Sequence, residues 1–312
     1  MPRYSGRVGG EVAGGLRLDR YAAERLKLLN RSQMKARVLE IRINGKAGKL
    51  SCPVKPGDDL ELLWADPPPS DLVPENIALD ILYEDDRVVV VNKAPGLVVH
   101  PGAGNASGTL ANGLLYRRLS RGGSGEGFRP GIVHRLDKDT SGVMIAAYDD
   151  EALAFLADQF KSRRVKKIYG AIVRGVFKEN AGVIETRIAR DRRDRRRFAV
   201  PEAGGKIALT RYRVIRSWFN YSLVLLRPKT GRTHQLRVHM AYAGHPILGD
   251  PLYGARDALF PQAGLMLHAK SLSLRLPGKG GYQTFKTPLP PRFYEVFRKL
   301  QGGHSPFQAP EV

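Results

Sequence analysis

The sequence predicts a protein of two units, each mixing helices with strands: a small αβ unit near the N-terminus and a larger one behind it. Three observations predict this. Between Leu16 and Trp64 a helical apolar spacing gives way to short strand-like runs. Consecutive prolines at Asp66-Pro67-Pro68-Pro69-Ser70 can continue neither helix nor sheet, so they mark a semi-rigid linker. Beyond them, β-branched runs such as Val88-Val89-Val90-Val91 alternate with amphipathic segments as far as Leu300. At 312 residues the chain is long enough for two cores. The units are expected at residues 16–64 and 80–300, with a linker at 65–79 and flexible tails at 1–15 and 301–312.

Charge narrows the function. Lys and Arg number 51 against 30 Asp and Glu, a net +21, and the pI is about 10.2. Solubility rarely needs so one-sided a balance. It points to a polyanionic partner, RNA or DNA before an anionic membrane. The one cysteine, Cys52, excludes a disulfide framework and a cysteine-based zinc site. No apolar run approaches a membrane span, and the N-terminus lacks a signal-peptide core. The simplest location is the cytoplasm.

In the first unit, residues 1–15 are glycine-rich without apolar period and read as a tail. Leu18, Ala22, Leu26 and Leu29 recur at helical spacing. Ser32 can cap a second helix carrying Met34, Val38 and Ile41, decorated by Arg31, Lys35, Arg37 and Arg42. Asn44-Gly45 makes a hairpin turn, and Pro56-Gly57 makes another before a strand at 60–64. The segments Asn30-Arg31-Ser32, Ile43-Asn44-Gly45 and Lys55-Pro56-Gly57-Asp58, in that order, resemble the S-four-like RNA-binding domain, named after a small-subunit ribosomal protein. The resemblance implies that Arg31, Lys35 and Arg37 contact RNA. A generic αβ module with solvated lysines is the plain alternative, and the order and spacing favour RNA.

In the second unit, Ile81 to Tyr83 and Val88 to Val91 read as strands around the Glu84-Asp85-Asp86 turn. Thr109 to Leu119 reads as a helix, and Arg121 to Arg129 as a glycine-rich loop without evident function. The centre is Gly131-Ile132-Val133-His134-Arg135-Leu136-Asp137-Lys138-Asp139-Thr140-Ser141-Gly142, a polar loop held between two short apolar runs. Strands on either side fix such side chains, so the loop is a good place for chemistry. A turn closed by Asx or Ser/Thr side chains is the bland alternative. Ala152, Leu153, Leu156, Ala157 and Phe160 then mark an amphipathic helix. Residues 187–197 are crowded with arginine and lie between predicted strands at 183–188 and 206–214. Thr233 can cap a helix that Gly244 ends, and residues 288–300 form a terminal helix.

His134-Arg135-Leu136-Asp137 followed by Thr140-Ser141-Gly142 resembles the signature of the RluA-type pseudouridine synthases, which isomerise uridine in structured RNA. The likeness continues through Asn92-Lys93-Ala94-Pro95-Gly96 to His100-Pro101-Gly102, with Ala94-Pro95 where the reverse order is commoner. It extends through Lys166 to Gly175, through Thr230-Gly231-Arg232-Thr233-His234-Gln235-Leu236-Arg237, and through Gly244 to Asp250 with Tyr253-Gly254. The resemblance implies an α+β catalytic domain with a mixed, mostly antiparallel central sheet, flanking helices and a central cleft. It implies that Asp137 is the catalytic nucleophile and that Arg135 fills the space left by a flipped base. Tyr169 should pack on that base and help remove its proton, and Arg232 should pair with Asp137. The loop bearing Arg190, Arg192, Arg193, Arg195 and Arg196 should reach over the RNA. With only Asp191 and Asp194 nearby, these guanidiniums repel one another, so the free loop is expected to be mobile. Asp139 lies outside the shared pattern.

Other chemistries fit poorly. No His-Glu-x-x-His or Cys/His cluster supports a metal, and His100, His134 and His245 sit beside turn residues as structural histidines do. Ser141 lacks a nucleophile elbow. No Walker loop or dinucleotide fingerprint is present, so no nucleotide cofactor is expected. A basic protein that only binds RNA is the serious competitor. Asp137 decides against it, because a carboxylate in a basic groove repels phosphate, whereas breaking a glycosidic bond needs one. Attack on the sugar, attack on the ring and abstraction of a sugar proton are all open to it. The expected enzyme is a monomer, needs no cofactor, and acts on ribosomal RNA of the large subunit before transfer RNA.

Overall fold

The structure, a computed structural model, describes residues 1–10, 15–29, 31–65, 72–102, 104–123 and 130–302, without the side chains of Arg31 and Ser32. The proline run, most of the glycine-rich loop at 121–129 and the last ten residues lie outside that set. The chain divides into two units, Met1–Asp71 and Leu72–Val312.

The first unit runs β1 (Arg3–Arg7), β2 (Leu16–Arg17), α1 (Leu18–Glu24), α2 (Arg31–Arg37), β3 (Val38–Ile43), β4 (Lys46–Ala47), β5 (Pro53–Val54) and β6 (Asp59–Trp64). Its main sheet has the order β1-β6-β3-β4, and β2 pairs β5. Three expectations are corrected. Residues 3–7 are not tail but an edge strand, antiparallel to β6 from Arg3↔Leu63 to Arg7↔Asp59. Its polar composition hides it, because an edge strand needs little apolar surface of its own. The second helix stops at Arg37, and Val38 and Ile41 belong to β3. Met34, Val38 and Ile41 fit a helical spacing, but β-branched side chains and a partner at β6 favour the strand. That helix begins at Arg31, so Ser32 lies inside it rather than capping it. At the Asn44-Gly45 turn both residues have positive φ, 51° and 73°, which a two-residue hairpin of this hand requires. Leu18, Tyr21, Met34, Leu60 and Trp64 form the core.

The second unit runs β7 (Asp80–Glu84), β8 (Val88–Lys93), α3 (Leu110–Ser120), β9 (Gly131–Ile132), β10 (Ser141–Ala147), α4 (Asp150–Lys161), β11 (Lys166–Arg174), β12 (Ala181–Arg190), β13 (Phe198–Ala199), β14 (Lys206–Trp218), β15 (Tyr221–Pro228), α5 (Gln235–Tyr242), β16 (Leu267–Leu274), β17 (Gln283–Lys286) and α6 (Pro291–Leu300). Its strands form one sheet of order β13-β12-β14-β15-β11-β16-β10-β8-β7, with β17 on β16 and β9 on β10. The β10–β16 pair is parallel and the other pairs are antiparallel, so the sheet is mixed and mostly antiparallel.

The apolar runs of β8 and β10 follow from burial on both faces. Val89, Val91, Met144 and Ala146 pack with Leu110 and Leu114 of α3. Val88, Val90, Val143 and Ile145 pack on the other face with Ala152 and Leu156 of α4. Residues 72–79 are not free linker. Asn112 Nδ2 donates to the Val73 carbonyl at 2.8 Å, Gly108 N donates to the Glu75 carboxylate at 3.0 Å, and Leu72 and Leu79 pack on the α3 core. Thr233 does not cap α5. The N-cap is His234, in left-handed conformation with φ 53°. Buried Gln235 organises this turn: its Oε1 accepts from Thr230 Oγ1 at 2.7 Å and from Arg232 N at 3.0 Å.

Candidate active site

The loop between β9 and β10 is anchored by alternate residues. His134 is half-buried, accepts from Ile145 N at Nε2 (3.1 Å) and stacks on Phe160 with ring centroids 4.6 Å apart. Burial pushes its imidazole down to about 3, so it is neutral and structural. Leu136 is buried in the α3 core. Arg135 and Asp137, the intervening positions, line the cleft together with these two.

Three further hydrogen bonds fix the Asp137 turn. Thr140 N donates to the Asp137 carbonyl at 3.1 Å. The Lys138 carbonyl accepts from Gly96 N (2.9 Å) and from Lys93 Nζ (2.9 Å). Lys93 is fully buried and also donates to the carbonyls of Ala94 and Leu97, both at 2.8 Å. All three ammonium protons are thereby used. Burial pulls its pKa down to about 8, against the raising effect of Asp139 and Asp137. At Gly142 φ is 117°, and a Cβ would stand 2.3 Å from the Ala269 carbonyl oxygen of β16. Only glycine closes the loop against that strand.

The cleft has a volume of about 520 Å³. Asp137 is the one carboxylate among its lining residues, facing six cations: Arg135, Lys161, Arg163, Lys167, Lys229 and Arg232. Tyr169, on β11, lines it as well. Burial raises the Tyr169 phenol, and the Asp137 carboxylate adds to the rise. The side chain is therefore a neutral phenol at physiological pH, suited to packing on a base and poorly suited to taking a proton from it.

One assignment is corrected. The cation against Asp137 is Arg237, not Arg232. Arg237 Nη1 lies 3.4 Å from Asp137 Oδ2, while its Nε and Nη2 each bond Asp250 at 2.7 Å. Arg232 sits on the cleft rim and donates from Nε to the Ile207 carbonyl at 3.0 Å. The two arginines belong to one motif, but the turn before α5 sends Arg232 outward, and the third helical residue faces inward. A signal was present: Arg237 falls in the buried run Leu236-Arg237-Val238, where an arginine needs a carboxylate partner, and Asp250 follows. His234 was also passed over. Its Nε2 lies 3.9 Å from Asp137 Oδ2. Burial lowers its pKa despite the nearby Asp137, so the ring is neutral.

The arginine segment is a short hairpin between β12 and β13, with Arg190↔Phe198 paired. Its turn is folded on its own aspartates. Asp191 Oδ1 accepts from Arg193 N and Asp194 N, and Asp194 binds Arg196 through backbone and guanidinium. Arg190 donates to the Arg195 carbonyl and lies over the Phe198 ring. Among the described residues, the guanidiniums of Arg192, Arg193 and Arg195 have no ion pair. Lys35 and Arg37 belong to the first unit. Lys35 is exposed, and Arg37 Nε donates to the Ala65 carbonyl. The side chain of Arg31 lies outside the described residues.

A family model described as RNA pseudouridylate synthase matches residues 87–242. The chain belongs to the RNA pseudouridylate synthase family. The matched part of the synthase runs from β8 through α5 and so contains Asp137, Tyr169, Arg232 and Arg237. The synthase is 46% identical over 287 residues to the ribosomal large subunit pseudouridine synthase D of Borreliella burgdorferi, covering 89% of this chain and 87% of that one. It is 40% identical to the protein of the same name from Neisseria meningitidis serogroup B, covering 93% and 80%. Among solved structures it is similar to human RNA pseudouridylate synthase domain containing 1, with 30% identity and TM-score 0.59 over 75% of this chain and 92% of that one. The synthase is an enzyme that isomerises uridine in RNA to pseudouridine.

Proposed function

We propose that the synthase acts on large-subunit ribosomal RNA and that Asp137 is its reacting carboxylate. One observation carries the second part: a single carboxylate placed among six cations in a cleft of about 520 Å³. The cations suit RNA phosphates, and the carboxylate suits an oxocarbenium-like sugar. The target uridine leaves its stack to enter the cleft. Arg135, exposed beside Asp137, takes the vacated place in the RNA. The C1′–N1 bond breaks, the uracil turns, and a C1′–C5 bond forms. N1 ends with a proton and C5 loses one, so the reaction consumes nothing and needs no nucleotide cofactor. Arg237, 3.4 Å away, orients Asp137, and Tyr169 packs on the detached base.

The ribosomal substrate is supported by the printed names of two relatives. The first unit, with basic α2 and its Asn44-Gly45 hairpin, serves as an S-four-like RNA-binding domain. The enzyme works as a monomer in the cytoplasm, where ribosomal RNA is assembled in bacteria. Mapping pseudouridines in total RNA from cells with and without the gene tests the substrate. Loss confined to large-subunit ribosomal RNA is expected, and loss confined to transfer RNA overturns it.

A further inference from the structure

Behind Asp137 a chain of contacts leads to the arginine hairpin. Tyr253 Oη accepts the amide proton of Phe198, the first residue of β13, at 2.8 Å. It lies 2.9 Å from His234 Nδ1. Arg197 and Arg237 both reach the Tyr253 ring, at 5.3 and 5.1 Å from its centroid. The Phe198 and His234 rings meet edge-on at 5.6 Å. The base of the hairpin and the side chain facing Asp137 thus share one tyrosine.

This arrangement favours one tautomer of His234. Having accepted from Phe198, Tyr253 keeps its own proton to donate, and His234 Nδ1 is the acceptor in reach. The ring proton then sits on Nε2, the nitrogen facing Asp137 Oδ2 at 3.9 Å. The other tautomer would set a lone pair against the carboxylate. The left-handed backbone at His234, φ 53°, is uncommon for a residue other than glycine and occurs where surroundings enforce it.

We propose that His234 is a positioning residue for Asp137, held in the Nε2–H tautomer by Tyr253 and brought into hydrogen-bond contact when RNA engages the arginine hairpin. The gap of 3.9 Å must shorten by about 1 Å to make that bond. Phosphates drawn onto Arg192, Arg193 and Arg195 load the hairpin, and Phe198 and Tyr253 carry the shift to His234. Asp137 is then held from two sides, by Arg237 and His234, only when substrate is present. The inference rests on the reading of Asp137 as the reacting group.

The test uses the full chain and an RNA substrate. Single-turnover rate and RNA affinity are measured for wild type, His234→Ala, His234→Gln, Tyr253→Phe and Asp137→Asn. The His234 ring nitrogens are followed by 15N NMR with and without RNA. The Nε2–H tautomer is expected in wild type and is lost in Tyr253→Phe. His234→Ala slows the chemical step by about a hundredfold, as small misplacements do. His234→Gln, which keeps an N–H donor, recovers most of the rate, and affinity is unchanged throughout. An Nδ1–H tautomer, a glutamine variant no faster than alanine, or Tyr253→Phe at the wild-type rate overturns the inference. If these occur while Asp137→Asn is inactive, the reading of Asp137 survives. Turnover by Asp137→Asn would defeat that reading itself.

Discussion

Arg237 stands between two carboxylates, 3.4 Å from Asp137 through Nη1 and forked onto Asp250 through Nε and Nη2 at 2.7 Å. Asp250 has a fully buried side chain and also accepts from Leu252 N and Tyr253 N. The guanidinium is thus aimed before substrate arrives. Asp250→Asn should leave Asp137 in place but loosen its partner, lowering kcat about a hundredfold with KM nearly unchanged. Asp250→Ala should also destabilise the fold by about 3–5 kcal/mol, the usual result of stripping one partner from a buried ion pair. Arg232→Ala, on the rim, should raise KM and spare kcat. Steady-state kinetics and thermal melts check all three.

Asp137→Asn should abolish pseudouridine formation and leave RNA affinity within a few-fold. The side chain is partly exposed in the cleft, and the amide keeps its shape while removing the charge. A tritium-release or mass-shift assay beside filter binding separates the two effects.

Lys93 predicts a pH dependence. Its pKa is pulled down to about 8 by burial, so it loses a proton as pH rises through that value. A neutral amine has two protons for three carbonyls, and the hold on Lys138 beside Asp137 weakens. The rate should fall above about pH 8. Stability should move the other way. The unfolded lysine keeps its proton to a higher pH, so between the two pKa values the unfolded state binds more protons and stability rises with pH. Single-turnover rates and chemical denaturation across pH 7–10 check the opposite signs. In Lys93→Met the alkaline limb should vanish, together with about 1–3 kcal/mol of stability for each carbonyl left unpaired.

The hairpin predicts a salt effect. Arg192, Arg193 and Arg195 have no carboxylate partners among the described residues, whereas Arg196 is held by Asp194. Changing the three free arginines to serine should flatten the slope of log affinity against log salt by about 2, at about 0.7 per lost phosphate contact. Arg196→Ser should instead disturb the turn. Filter binding over a salt series distinguishes them.

Removing Met1–Asp71, the whole first unit, should weaken RNA binding more than it slows the bound-state reaction. Each unit has its own apolar core, so the second should fold alone. Circular dichroism and single-turnover kinetics at saturating enzyme provide the check.

Local chemistry settled much of this protein. The chain motif from Gly131 to Gly142 has apolar flanks, and both became strands, β9 and β10. The strands carrying Tyr169 and the helix after Thr233 were legible from period and punctuation, since these depend on neighbours in sequence. Asp137, Tyr169, Arg135 and Arg232 were marked by motif, and all four do line one cleft. What sequence could not assign was direction and partnership. Residues 3–7 became a strand because β6 offered an edge, and Val38 left its helix for the same sheet. Arg237 rather than Arg232 meets Asp137 because a left-handed residue at His234 turns the chain between them. Lys93 is bonded to the carbonyl of Lys138, 45 residues away, and Tyr253 joins Phe198 to His234 across 55 and 19 residues. Such contacts arise only when distant segments pack, so burial and hydrogen bonding in the folded chain, not local pattern, chose the partners of Asp137.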